Sequence, residues 1–180
     1  FVELFNQFTT AAYEASAKFG IGIDDAAKSL EALVKAGLSG SDAIKALHDA
    51  LAAAKLEGTS VENVTKNLVM ILSQFSMSAD ESTRAMNALL NMSRLGIGTM
   101  EDFARGLGNV GAMARFAGMT VEEAGAFMVL LERRFGSADE AGTALNRVLR
   151  DLVDIATKLG IPLRDLEGNF RNTKDILLDA

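Results

Sequence analysis

At six places in this chain that read as helix starts, a serine or threonine is followed three residues later by a polar or acidic residue: Ser39…Asp42, Ser60…Asn63, Ser78…Glu81, Thr99…Asp102, Thr120…Glu123 and Ser137…Glu140. A hydroxyl so placed accepts from an orphan N–H in the first turn of a helix. A carboxylate three residues on reaches back to the cap N–H and complements the positive end of the helix dipole. One such box is weak evidence, but six at intervals of 17 to 21 residues prescribe short helices in series. With one proline in 180 residues, little interrupts those helices from within.

The apolar spacing agrees. Ile44, Leu47, Leu51 and Ala54 recur at intervals of 3, 4 and 3. Val61, Val64, Leu68, Ile71 and Phe75 do the same, as do Met100, Phe103, Leu107, Val110 and Ala114, and Leu145, Val148, Leu152, Ile155 and Leu159. Each set forms one stripe on a helix, and no segment sustains the period-two alternation of a strand. Gly20, Gly37, Gly58, Gly96, Gly118, Gly136 and Gly160 each follow such a run and suit the left-handed position that ends a helix. Phe19, Phe116 and Phe135 lie at or near those ends and are expected to plug the gaps between successive helices.

The expectation is an all-α fold with no β-sheet. About nine short amphipathic helices, near 2–19, 24–36, 41–56, 61–75, 79–94, 100–116, 121–134, 138–158 and 173–180, pack as αα-hairpins. The stretch Gly20–Ala26 is similar to Gly118–Ala124, which fits either a duplicated helix hairpin or shared capping chemistry.

Composition excludes several functions. There is no cysteine, hence no disulfide framework and no thiolate metal site. The net charge of −6 comes without a dominant basic patch, which disfavours specific nucleic-acid binding through phosphate neutralisation. The longest uncharged stretch, Asn67 to Ala79, is too short to span a membrane in this segment. The chain begins without an initiator Met and ends inside an apparent helix, which reads as a piece of a longer protein.

No residues converge on chemistry. His48 is the single histidine and lies on the polar edge of its helix, outside any metal-ligand or triad spacing. The pairs Asp24-Asp25, Glu101-Asp102, Glu122-Glu123 and Asp139-Glu140 all fall in first helical turns, where capping and dipole complementarity account for them. No catalytic residue, metal or cofactor is therefore expected. The stretch from Gly106 through Gly108 to Gly111 superficially resembles a phosphate loop, but no strand precedes it and no Lys-Ser/Thr follows. Its three glycines lower helix propensity by roughly 2–3 kcal/mol relative to alanine, so packing or a subunit contact should offset them. The small residues Ala138, Ala141, Gly142 and Ala144 suggest a second place of close helix approach. All eight methionines lie between Met70 and Met128 and predict a soft middle core or a surface for partner subunits.

Taken in order, these motifs resemble the core region of tail tape measure proteins of long-tailed phages and prophages. Ala32-Leu33-Val34-Lys35-Ala36-Gly37-Leu38-Ser39, followed by Asp42-Ala43, is similar to that family's first helix-loop-helix. Thr99–Ala104 and then Gly118–Glu123 look like its central pair, and Gly136–Arg147 resembles its Ala-Gly-Thr-Ala-Leu signature. Leu159-Gly160-Ile161, Gly168-Asn169-Phe170-Arg171 and Asp175-Ile176-Leu177 match its final turn and helix. Phe135 and Asn146 depart from the family pattern.

The resemblance covers roughly residues 12–180. It implies a lead-in helix over 1–18, a helical core over 19–160, and a turn and helix start over 161–180. It further implies several copies of a long protein running inside the tail tube, partnered by tail tube and tail chaperone proteins. Such a protein is assembled in the host cytoplasm, sets tail length and leaves ahead of the DNA at genome ejection. Two other readings stand behind this one: a helical-repeat adaptor that binds another protein in a concave groove, and, weakest, an enzyme or lytic module.

Overall fold

The computed structural model describes residues 2–163, 165, 171, 175, 176 and 178, with the backbone alone at 2, 4 and 5. Among them are eight α-helices and no strand: α1 (Val2–Phe19), α2 (Ile23–Lys35), α3 (Gly40–Glu57), α4 (Val61–Phe75), α5 (Ser82–Leu95), α6 (Met100–Phe116), α7 (Val121–Phe135) and α8 (Ala138–Leu159). A 3-10 turn, Ala79–Glu81, precedes α5, so the expected helix at 79–94 divides in two. The ninth expected helix, at 173–180, lies largely outside the described residues.

Two compact units form, residues 1–90 and 91–180. In unit 1, α2 packs on α1, α3 and α4, and α3 also meets α1 and α4. In unit 2, α6, α7 and α8 all pack on one another, most extensively α6 on α8. Helix hairpins describe only part of this. Helices two apart in sequence pack as extensively as neighbours, because three helices closing on one another bury more of each stripe than a pair can.

The stripes of α4 and α6 are buried as expected: Val61, Val64, Leu68, Ile71 and Phe75 in one, Met100, Phe103, Leu107, Val110 and Ala114 in the other. In α3, Leu47, Leu51 and Ala54 are buried and Ile44 is half-buried. The expected stripe on α8 is rotated. Leu145 and Leu152 are buried, but Val148 and Ile155 are 60% and 49% exposed. The face turned inward is Ala141, Gly142, Leu145, Leu149, Leu152 and Ala156. Small side chains admit the backbone of α6, and that gain outweighs the larger apolar area at the stripe's edge. Further along, Leu152 and Ala156 pack with Ile176, and Ile161 and Leu163 lie against them.

Helix ends follow backbone chemistry. Gly20, Gly37, Gly58, Gly118, Gly136 and Gly160 hold positive φ, as expected of left-handed terminators, but Gly96 does not. Ser76 closes α4 at φ 49 where no glycine marks the end. The aromatic plugs are also revised: Phe116 and Phe135 are about half exposed, and Phe19 is half-buried beside the ring of His48, 6.5 Å away.

Candidate functional site

The most specialised place in the molecule is the α6–α8 crossing in unit 2. A Cβ built on Gly142 would overlap the carbonyl oxygen of Gly106, and one built on Gly106 would overlap the carbonyl of Ala138 and the Met128 methyl. The two helices therefore touch backbone to backbone, a separation that only glycine permits at both positions. Ala141 and Gly111 are buried, while Gly108 and Ala144 are half-buried at the margins. Beside the crossing, the Asn146 side-chain amide donates to the Asn109 carbonyl. The structure thus brings Gly106 and Gly142 together in one contact, and it explains the low helix propensity around Gly106.

A second cluster escaped the sequence reading. Glu132 of α7 is 1% exposed, yet its two carboxylate oxygens accept the backbone N–H groups of Ile97 and Gly98, both at 2.8 Å. A Cβ on Gly96 would collide with Phe103 and with Glu132, and one on Gly98 would fall 2.7 Å from the same carboxylate. Arg133, next along α7, donates to the Leu95 carbonyl at 3.1 Å. The turn between α5 and α6 is therefore shaped around a buried charge, whose desolvation two N–H donors offset. Gly96 serves close approach here. One signal could have revealed Glu132: it continues the buried set Val121, Ala124, Gly125 and Met128 at helical spacing.

The expected cap residues sit at helix starts, with varied geometry. Thr99 and Asp102 form a reciprocal box, the Asp102 N–H donating to the hydroxyl at 3.2 Å and the Thr99 N–H to the carboxylate at 3.0 Å. Thr120 and Glu123 do likewise at 3.2 and 2.9 Å. Ser60 and Ser137 accept from the N–H groups of Asn63 and Glu140. At Ser78 the N–H and hydroxyl both donate to Glu81. Ser39 spends its hydroxyl on the Asp42 carboxylate and makes no cap bond to the backbone.

These contacts set the electrostatics. Thr99 and then Arg105 hold the Asp102 carboxyl below its usual range, and Ser78 with Arg84 does so for Glu81. Arg105, bonded to Asp139 at 2.7 Å and to Asp102 at 2.6 Å, is pushed further above its ordinary value by those carboxylates, Asp139 first. Each shift stabilises in place the charged form of a group at the surface, exposed at Arg105 and half-buried at Glu81 and Asp102. None prepares a proton donor or acceptor for a bound substrate.

Among the described residues no three His, Cys, Asp or Glu side chains gather as a metal-holding group. No described helix is long and apolar enough to cross a membrane. In unit 1 a surface groove of about 530 Å³ runs past Phe19, Ile21, Leu51, Ala54 and Val61. Its carboxylates are Asp25 and Glu62, and the latter is engaged by Lys66 at 2.7 Å. His48 is half-buried and stands behind Phe19 without lining the groove.

Fold and site together define an all-helical packing protein, whose distinctive positions serve contact between helices. The family follows from comparison: the model of the phage-related minor tail protein family matches residues 9–180, and the chain belongs to that family. It is a phage tail protein, as the resemblance implied at this coarser level. No curated protein and no solved structure matches it.

Proposed function

We propose that this chain is part of the core of a tail tape measure protein. It lies with other copies in the lumen of the tail tube, helps set tube length during assembly in the host cytoplasm, and leaves ahead of the DNA at ejection. On this reading residues 19–160 form the helical core, with 1–18 leading in and 161–180 leading on. Tail tube and tail chaperone proteins are its partners, and it needs neither cofactor nor catalysis. The family match over residues 9–180 is the observation that carries the proposal. The structure supports it in kind: the specialised residues, Gly106, Gly142 and Glu132, are spent on packing.

The test is an in-frame deletion of residues 100–159 from the parent gene, with tail lengths measured by electron microscopy. Helices laid end to end would shorten the tail by about 90 Å at 1.5 Å per residue. Helices that stay packed side by side would shorten it by about 33 Å, the length of the 22-residue α8. Infectious particles with tails of unchanged length would refute the role.

A further inference from the structure

The outward face of α7 has the pattern of a self-complementary surface. Phe127 and Leu130 are 50% and 64% exposed, with the small Ala126 beside them, on the side of the helix opposite Val121, Ala124, Gly125, Met128 and Glu132. Exposed Glu123 stands one turn before this apolar pair and exposed Arg134 one turn after it. The order along one face is acid, aromatic, aliphatic, base, at intervals of 4, 3 and 4. A half-turn about an axis through the middle of α7 maps position 123 onto 134 and position 127 onto 130. This face therefore meets a copy of itself with each apolar side chain on an apolar side chain and each charge on its opposite.

We propose that α7 is a docking surface for a second copy of this chain, the two α7 helices crossing antiparallel with Phe127 of each against Leu130 of the other. Charge selects both the occupant and the direction. A parallel arrangement would set Glu123 on Glu123 and Arg134 on Arg134, whereas the antiparallel one makes two opposite-charge pairs and also opposes the helix dipoles. Glu123 is prepared for this. One carboxylate oxygen is engaged by the Thr120 N–H at 2.9 Å, which fixes the side chain at the start of α7. A two-fold contact of this kind is isologous, and with two large apolar side chains per copy it falls among small, reversible interfaces. The inference stands on α7 alone and is independent of the role in the tail.

Sedimentation equilibrium of the chain from about 10 µM to 1 mM, the range in which small interfaces associate, reads the self-association. Phe127→Asp is expected to weaken it at least tenfold, with helical content by circular dichroism unchanged because the side chain is outside the core. Leu130→Asp provides the same test if the first variant folds poorly. Direction is read by oxidising an equimolar mixture of Glu123→Cys and Arg134→Cys chains, in which no other thiol competes because the protein has no cysteine. The mixed disulfide is expected to exceed the two symmetrical ones by about threefold or more, since those pairs lie at opposite ends of an antiparallel contact. A monomer at every concentration, association indifferent to both aspartate variants, or a predominance of symmetrical disulfides would each overturn the proposal.

Discussion

Unit 1 fills its interior with ordinary side chains: Ala43, Ala46, Leu47, Ala50, Leu51 and Ala53 line one helix, all essentially buried. Its buried polar groups are neutral, and the hydroxyls of Ser29, Thr65 and Ser82 lack a hydrogen-bond partner among the described residues. Unit 2 instead brings two backbones into contact at Gly106 and Gly142, and it buries a carboxylate at Glu132 with both oxygens engaged. The difference follows from magnitudes. An orphaned hydroxyl costs about 1–3 kcal/mol, which a well-filled core absorbs. A buried unpaired carboxylate costs several times more, so it persists only where the fold supplies donors. Unit 1 thus tolerates orphaned buried hydroxyls, whereas unit 2 engages both oxygens of its buried Glu132, though Oδ1 of its half-buried Asp139 lacks a partner among the described residues.

Substitutions of graded severity can break or sharpen that contrast. The largest effect is expected from Gly142→Leu, which should lower stability by about 3 kcal/mol, the upper end of overpacking, because its first added carbon already meets the α6 backbone. Urea denaturation measures it, and an unchanged midpoint would show that the crossing is loose. Next, Glu132→Gln keeps the shape but sets an amide against one of two N–H donors. A loss of about 1–3 kcal/mol is expected. Amide exchange at Ile97 and Gly98 should accelerate with it, and full protection at both would mean that the carboxylate does not hold the turn.

A change in the opposite direction is expected in unit 1. Thr65→Val removes an unpartnered hydroxyl at constant shape and should raise stability by about 1 kcal/mol; a lower melting temperature would reveal a hidden partner. The smallest effect concerns acid. Because Asp102 is held below its usual range, it binds fewer protons folded than unfolded. Its contribution is therefore present above the ordinary carboxylate range and fades as the pH falls through the lower folded value. Asp102→Asn should flatten that part of the stability-against-pH curve, and identical curves for the two proteins would discount the cap.

What was legible in the sequence was local. Thr99 and Asp102, or Thr120 and Glu123, bond within one turn, so three-residue spacing was enough to place the starts of α6 and α7. The glycines that end helices were visible for the same reason, Gly96 excepted. What was not legible depends on a partner helix. The spacing of Leu145, Val148, Leu152, Ile155 and Leu159 fits a stripe, but only the approach of α6 to Gly142 decides that Val148 and Ile155 stay outside. Glu132 was missed because its donors lie 34 and 35 residues away. Ser76 adopts a left-handed turn that glycine favours, so composition gave no warning of it.

The glycine contact of α6 with α8 also has a mechanical consequence. Backbones that interlock without intervening side chains cannot slide or roll past one another by rotamer changes, so shear along α8 is carried directly into α6. A single chain drawn out in an optical trap should therefore yield first in the alanine-lined half, with the glycine-locked half holding to higher force. A reversed order of rupture would show that the lock bears no load.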